Sequence, residues 1–351
     1  MVNSFANFKA AIPVSEDESP SINIHFTALF SSKPDAVPIV FLHGWPGSFF
    51  EFIPILKLLK EKYPEETSLP YHIIVPSLPG YGLSDPPPAK REFTVEDASG
   101  MIDHLMSKTL GFASYISQGG DVGAGVARTL GARYKACKAV HLNFHFAQFP
   151  PYVDLDGLDE RDMAGLRRNE WFSTTAMAYA QMHATRPATS GLVLMSSPLA
   201  MLAWIGEKFL DWIDPASFPH SPKSNDPTSS AEKHAYSIEL MDVAIAGASL
   251  YYLAGCAHTC LYPYRNFIPK GENKAANEYS SAEFHISAPK ILGYSSFPKE
   301  LLISPQKWVA KSGNLVFCKR HDKGGHFAAL EQPAALLEDV ETFVAILAKE
   351  T

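Results

Sequence analysis

The stretch SQGGDVGAG, residues 117–125, follows a short apolar run and precedes a helical pattern, and it decides how the chain is expected to fold. At its centre stands Asp121, with Gly119 before it and Gly123 after it. A strand–nucleophile–helix turn is sharp, so only small residues fit around its centre. Such a turn exposes its central side chain at the carboxyl edge of a parallel sheet, where the helix dipole favours an ionised carboxylate. The alternative interpretation of Asp121 is an ordinary helix N-cap.

The composition of the chain excludes several classes of protein. Its 351 residues are 46% apolar and 19% charged, which suits one large domain or a core domain with an insertion. A net charge of -7, without a basic run, argues against a nucleic-acid partner. No secretory pattern and no membrane span are predicted from the sequence, so we expect a cytoplasmic protein. The scattered spacing of the cysteines predicts free thiols at Cys137, Cys256, Cys260 and Cys318.

Short apolar runs alternate with helical patterns around the central turn, which is typical of a parallel α/β sheet. Between about residues 145 and 280 this alternation gives way to Met, Ala, Trp and Tyr at helical spacing. We therefore predict an α/β core, residues 1–144 and 281–351, with a helical cap, residues 145–280, inserted into it. The predicted strands are 22–30, 37–45, the start of 71–82, 113–117, 137–144, about 285–294 and 314–320. The predicted helices are 94–111 (opened by a capping box at Thr94 and Asp97), 122–134, 189–212, 236–255 and one from Pro333, with a surface loop at 214–230.

The motif HGWPGS, residues 43–48, ends an early predicted strand and bears on how a reacting oxygen would be held. In a fold of this kind, a loop after an early strand and the residue after the nucleophile each supply one oxyanion-hole N–H. Those donors are predicted to be the backbone N–H groups of Trp45 and Val122. A tight turn that only needs glycine and proline is the alternative, and His43 is interpreted as a structural hydrogen-bonding residue.

A candidate base lies near the end of the chain, in KGGHFAALEQP, residues 323–333. The order nucleophile, acid, histidine predicts His326 as the base, and the two glycines before it permit a close backbone turn. The acid is predicted to be Glu300, on a loop after a strand, with Asp322 as its competitor. We interpret His321 and His285 as structural residues.

Taken together, these motifs resemble those of the microsomal-type epoxide hydrolases, especially the soluble fungal members. The resemblance runs from about residue 22 to the C-terminus and rests on HGWPGSF, PGYGLSDPP, QGGDVGAG, FPKELL and GGHFAALEQP. It implies an α/β-hydrolase fold, a mostly parallel sheet with an inserted helical cap. It also implies Asp121 as nucleophile, His326 as general base and Glu300 as the acid that orients the histidine. No cofactor and no metal are implied.

The same resemblance implies two cap tyrosines that hold and protonate the epoxide oxygen. One precedes a Thr-Arg-Pro element, which identifies Tyr179, and the other sits in a Tyr-Arg pair, which identifies Tyr264. Tyr262 and Tyr252 are neighbours that could be confused with Tyr264. Without the resemblance, each of these tyrosines would be interpreted as an ordinary packing residue.

One departure from the family concerns the N-terminal region. Family members carry a long N-terminal region that wraps the core and braces the cap, whereas only about twenty residues precede the first predicted strand here. We therefore expect the brace to be largely missing, with consequences for cap rigidity, stability and oligomeric contacts. A homodimer stays open.

An aspartate nucleophile restricts the type of reaction. Its attack on a saturated carbon gives an alkyl ester that water can cleave, whereas serine would give a stable ether. An epoxide oxygen or a halide could be the leaving group, and a small-molecule epoxide with water is favoured because Val122 replaces the tryptophan that typically follows the nucleophile in haloalkane dehalogenases. A hydrolase acting on ether bonds, in detoxification, is the predicted activity. A biosynthetic epoxide-opening enzyme and a non-catalytic binding protein of the same fold are also considered.

Overall fold

The strands of the core form a single sheet in the computed structural model, which describes residues 2–15, 18–145, 155–218, 238–267 and 284–350. Within these ranges the strands are β1 (Asn7–Ser15), β2 (Glu18–Leu29), β3 (Val37–Leu42), β4 (Tyr71–Pro76), β5 (Tyr115–Gly119), β6 (Cys137–Leu142), β7 (Ile291–Ser296) and β8 (Leu315–Arg320). Their order across the sheet is β1-β2-β4-β3-β5-β6-β7-β8. From β4 to β8 every neighbouring pair is parallel, while β2 runs antiparallel to both β1 and β4.

The first predicted strand is the second strand in chain order, because a further strand precedes it. The strand predicted at 22–30 begins at Glu18, and Asn7–Ser15 forms a further strand whose Ala10 pairs with Ile24. Prediction missed β1 because Pro13 interrupts its apolar alternation, and proline is compatible only with an edge position of this kind. Ile12 is nevertheless fully buried, so this segment contributes to the core.

Helices cover both faces of the sheet and fill the insertion between β6 and β7. The core helices are α1 (Ile53–Lys62), α2 (Val95–His104), α3 (Asp121–Arg133), α10 (Gln306–Val309), α11 (Ala328–Glu331) and α12 (Pro333–Glu350). The inserted helices are α4 (Glu160–Trp171), α5 (Ala178–Thr185), α6 (Pro187–Met195), α7 (Pro198–Asp211), α8 (Ile238–Ala254) and α9 (Tyr264–Phe267). Short 3₁₀ segments are Val2–Ser4, Phe49–Phe52, Pro215–Ser217, Thr259–Leu261 and Ala310–Ser312, and π-helical segments Leu105–Thr109 and Phe172–Ala176 extend α2 and α4. The fold is therefore an α/β core with an inserted helical cap.

Local sequence signals explain several helix boundaries. The predicted capping box of α2 is confirmed, because the Asp97 N–H donates to Thr94 Oγ1 at 3.1 Å and the Thr94 N–H donates to Asp97 Oδ2 at 2.8 Å. The single helix predicted at 189–212 is wrong: it divides into α6 and α7, since the Ser197 hydroxyl caps a new helix that starts at Pro198. The strand expected at about 285–294 starts only at Ile291.

Some predictions fall partly outside the described residues. Residues 219–230 of the predicted loop lie outside the described residues. Residues 146–154 and 281–283, near the predicted domain boundaries, also lie outside them, so those boundaries stay predictions. Within the part of the chain that the structure describes, no single helix is long and apolar enough to cross a membrane. Two pairs of helices reach the required length and apolar character only when the two helices of a pair are counted together, and each pair is sharply bent. These pairs are Pro187–Met195 with Pro198–Asp211 and Glu239–Ala254 with Thr259–Asn266.

Candidate active site

The turn between β5 and α3 holds Asp121 in an unusual backbone conformation. Asp121 is the first residue of α3 and has φ 48°, a left-handed value that L-residues rarely adopt. A Cβ atom on Gly123 would lie 2.2 Å from the Leu42 carbonyl oxygen, and one on Gly119 would lie 2.3 Å from the Gly123 carbonyl oxygen. Glycine is therefore required on both sides, which explains the motif that the sequence presents.

The carboxylate of Asp121 points toward two groups from other parts of the chain. The Trp45 backbone N–H donates to Asp121 Oδ1 at 2.7 Å, and His326 Nε2 lies 3.5 Å from Asp121 Oδ2. Val122 is the second residue of α3, so its N–H belongs to the first turn, whose donors have no partner within the helix. The nucleophile candidate, the Trp45 N–H donor and the base candidate thus converge on one point.

His326 is held between two carboxylates. Its Nδ1 lies 2.5 Å from Glu300 Oε1, and the same oxygen accepts the Leu301 N–H at 2.6 Å. Burial disfavours the charged imidazole, but Glu300 and Asp121 outweigh that effect and raise the pKa of His326 to about 10. The competing acid is not brought to the site, since the Asp322 side chain is 90% exposed and pairs with Arg161.

The two predicted cap tyrosines lie over the Trp45 ring. Tyr179 stacks on Trp45 with ring centroids 5.1 Å apart, and Tyr264 meets the same ring edge-on at 5.9 Å. The two tyrosine rings are 5.8 Å apart and both are buried, which raises the pKa of each phenol well above its usual value. Tyr262, by contrast, faces the guanidinium of Arg265.

The loop that carries the acid is fastened to the cap, a contact that the sequence did not reveal. The Arg168 Nε on α4 donates to the Glu300 carbonyl oxygen at 2.7 Å. The neighbouring Asn169 donates to the Ile303 carbonyl oxygen at 2.8 Å and accepts the Ile303 N–H at 2.7 Å. These partners are more than 130 residues apart, and no local pattern could have paired them.

A further carboxyl, that of the half-buried Glu51, lines the same small cavity as Asp121 and His326. Glu51 Oε1 accepts the Ser48 N–H at 3.1 Å in a capping box, and burial raises the pKa of Glu51 to about 8. The spacing Ser48-x-x-Glu51 was the signal that could have located it. The structural interpretation of His43 is confirmed, because its Nε2 accepts the Leu78 N–H at 3.1 Å and burial lowers its pKa to about 4.

The described residues contain no group of three or more His, Cys, Asp or Glu side chains that could hold a metal ion. The four cysteines are free, as the sequence predicts. The arrangement therefore offers a carboxylate, a histidine paired with a second carboxyl group, a backbone N–H donor and buried phenols. Such a set of groups is suited to nucleophilic displacement and acid–base catalysis.

Comparisons with known proteins define first the class and then the family. A model described as alpha/beta hydrolase fold matches residues 37–156, and one described as epoxide hydrolase N terminus matches residues 1–52. The core is thus an α/β-hydrolase fold. A Dothistroma septosporum protein named as an epoxide hydrolase is 41% identical over 333 residues, which cover 95% of this chain and 72% of the relative. The chain belongs to the epoxide hydrolase family, whose members are hydrolases that act on ether bonds.

Other relatives extend the similarity to solved structures and to animals. The structure of Aspergillus niger epoxide hydrolase matches with a TM-score of 0.82 and 42% identity, covering 99% of this chain and 80% of that one. Epoxide hydrolase 1 of Sus scrofa is 28% identical over 374 residues, which cover 100% of this chain and 76% of the relative. The match of the N-terminal model to residues 1–52 includes β1, the strand that the sequence did not reveal.

Proposed function

We propose that this chain converts an epoxide to a vicinal diol through a covalent ester on Asp121. The Asp121 carboxylate attacks an epoxide carbon, the carbon–oxygen bond breaks, and Tyr179 or Tyr264 donates a proton to the departing oxygen. Water activated by His326 then attacks the Asp121 carbonyl carbon, with the Trp45 and Val122 N–H groups holding the oxyanion. The acyl carbon–oxygen bond then breaks, the diol oxygen takes up the proton that His326 removed from water, and the Asp121 carboxylate is restored. The observation that carries the proposal is Asp121 held between the Trp45 N–H and a His326 that is itself paired with Glu300.

The charges of the site support an ordered exchange of roles. Before the reaction, two carboxylates flank His326 and favour its protonated form. Ester formation turns Asp121 into a neutral group, so one of the two charges that raise the histidine pKa disappears. The imidazole then releases its proton more readily. This proton can pass to the tyrosine that has protonated the new alcohol. The neutral His326 then becomes the base for the water.

The phenols favour an epoxide over a halide as the leaving group. An opening epoxide develops negative charge on oxygen and needs an O–H donor, and the buried phenols of Tyr179 and Tyr264, whose rings are 5.8 Å apart, supply two. A departing halide would need N–H donors beside the nucleophile, where Val122 offers only an apolar side chain. Halide release from haloalkanes without diol formation from epoxides would support a dehalogenase instead.

A single turnover in ¹⁸O-labelled water, with enzyme in excess, tests the covalent step. The first diol should carry mostly unlabelled oxygen, and the label should appear in Asp121, because the added oxygen comes from the carboxylate. In His326→Gln, an ester should accumulate on the peptide that contains Asp121, visible by mass spectrometry. A fully labelled diol in the first turnover would show direct attack by water and would reduce Asp121 to a general base.

The biological setting belongs to the same proposal. Free cysteines at all four positions support a reducing compartment and thus the cytoplasm. Turnover of aryl and alkyl epoxides of graded size, with diol as the readout, tests a broad detoxification role. Activity confined to one narrow epoxide class would favour a biosynthetic role.

A further inference from the structure

Two buried carboxylates each accept a backbone N–H across the boundary between the cap and the core. Asp214 follows α7 of the cap, and its Oδ2 accepts the Gly324 N–H of the histidine loop, residues 323–327, at 2.8 Å. Glu331 lies in α11 of the core, and its Oε2 accepts the Asp214 N–H at 2.7 Å. Asp214 is 6% exposed and Glu331 is 5% exposed. Each of the two segments thus supplies a carboxylate that binds backbone of the other side.

The same contacts extend to both sides of His326. Glu331 Oε1 accepts the N–H of Phe327, the next residue, at 3.0 Å, and the His326 N–H donates to the Trp212 carbonyl oxygen at 2.9 Å. A Cβ atom on Gly325 would lie 2.6 Å from that Trp212 oxygen. The histidine loop is therefore in direct backbone contact with the cap, and Glu331 holds the loop and the cap together.

The placement of this backbone decides where the imidazole points. His326 Nδ1 is 2.5 Å from Glu300 and its Nε2 is 3.5 Å from Asp121, so a small shift of the loop would disturb both relations. Misplacement of a reacting group by about 1 Å can lower a rate about 100-fold. A carboxylate suits the position of Glu331 because both of its oxygens accept N–H groups, whereas an amide offers one oxygen and turns its NH₂ toward a donor.

We propose that Asp214 and Glu331 are positioning residues that hold His326 in the geometry required to activate water. This inference rests on the proposed function, in which His326 is the base of ester hydrolysis. Neither carboxylate touches the reacting atoms, and both act through the backbone of the histidine loop. Ester formation at Asp121 should depend much less on them, because the nucleophile turn is held by other contacts.

The test uses Glu331→Gln and Asp214→Asn, with Glu338→Gln as the control. Glu338 lies on α12 with its side chain 71% exposed, so it matches the charge change at a remote position. Pre-steady-state kinetics with an aryl epoxide should show ester hydrolysis slowed about tenfold or more in both variants, with ester formation changed less than about twofold. The control should match the wild type in both steps.

A second readout is independent of epoxide chemistry. The proton between His326 Nδ1 and Glu300 should give a far-downfield ¹H NMR signal, and this signal should shift or broaden in both variants but not in the control. Folded variants with an unchanged signal and unchanged hydrolysis would overturn the proposal. If Glu331→Gln does not fold, the same two measurements, the NMR signal and the rate of ester hydrolysis, are made on Asp214→Asn, which keeps one acceptor oxygen. If the wild type forms no diol from epoxides, the proposed function is refuted. If the NMR signal still shifts in the two variants, the positioning role stands.

Discussion

The nucleophile turn and the histidine loop meet at one site, yet they are held in different ways. The turn around Asp121 is fixed within the core, through glycines in close contact with the backbone of α3 and of the neighbouring strand β3. The loop around His326 is fixed by distant segments, and the Asp214–Glu331 contact joins residues 117 positions apart. The first geometry is internal to the core, and the second depends on how the cap docks. Changes in the cap contacts should therefore impair the second chemical step more than the first.

The largest expected effect concerns the acid. Glu300→Gln should slow ester hydrolysis by about 10⁴-fold, because an amide cannot hold the imidazole in the correct tautomer or stabilise its charge. Ester formation should suffer far less. Asp322→Asn, at the exposed competitor, should leave both steps within about twofold of the wild type, since exposed ion pairs contribute little. Rapid-quench kinetics measures both steps, and the reverse ranking of the two variants would exclude Glu300 as the acid.

The second prediction concerns the pH dependence of stability, which follows from the difference between the pKa of His326 in the folded protein and in the unfolded chain. The folded pKa of His326, about 10, lies above its ordinary value of 6.5. The stabilisation from the charged imidazole should therefore be complete below pH 6.5 and disappear as the pH rises through 10. It can reach a few kcal/mol, at about 1.4 kcal/mol per unit of pKa shift. Urea unfolding should show the gap between wild type and His326→Gln narrowing from pH 6 to pH 10, and a constant gap would contradict the assignment.

The third prediction tests the part that the cap plays in the first step. The Tyr179→Phe and Tyr264→Phe double variant should slow ester formation by about 100-fold or more, the scale of lost general-acid catalysis. Each single variant should lose less, because one phenol remains above Trp45. Tyr262→Phe is the matched control. A double variant with wild-type burst kinetics would show that these phenols only pack.

The smallest expected effect concerns the nucleophile turn, the half of the comparison that is internal to the core. Gly123→Ala should destabilise the fold by about 1–3 kcal/mol, as overpacking does, since its methyl group would meet the Leu42 carbonyl at 2.2 Å. Gly247→Ala in α8 is the control, because its methyl group would lie an ordinary 3.5 Å from Phe209. That control should be neutral or stabilising by up to about 1 kcal/mol. Equal denaturation midpoints for the two variants would argue against a steric requirement at Gly123.

The same contrast explains what the sequence could predict. The sequence patterns of the nucleophile turn and of the capping box at Thr94 consist of residues close together in the chain, so both could be predicted from the sequence. The contacts of Asn169 with Ile303 and of Glu331 with Asp214 depend on how distant segments dock, which no local pattern encodes. β1 was missed for a different reason. Its pairing partner overrides the weak strand propensity of a run that contains Pro13.

The edge position of β1 also bears on how molecules of this protein avoid one another. A sheet edge offers unpaired N–H and C=O groups on which another chain could add a strand, and such growth leads to aggregation. β1 lies at the end of the sheet and presents an exposed Lys9, while Pro13 removes one donor and the pairing register shifts between Pro13 and Ser15. A charge, a missing donor and an irregularity are three recognised obstacles to strand addition. The residues that concealed this strand from prediction therefore also protect it from becoming a template.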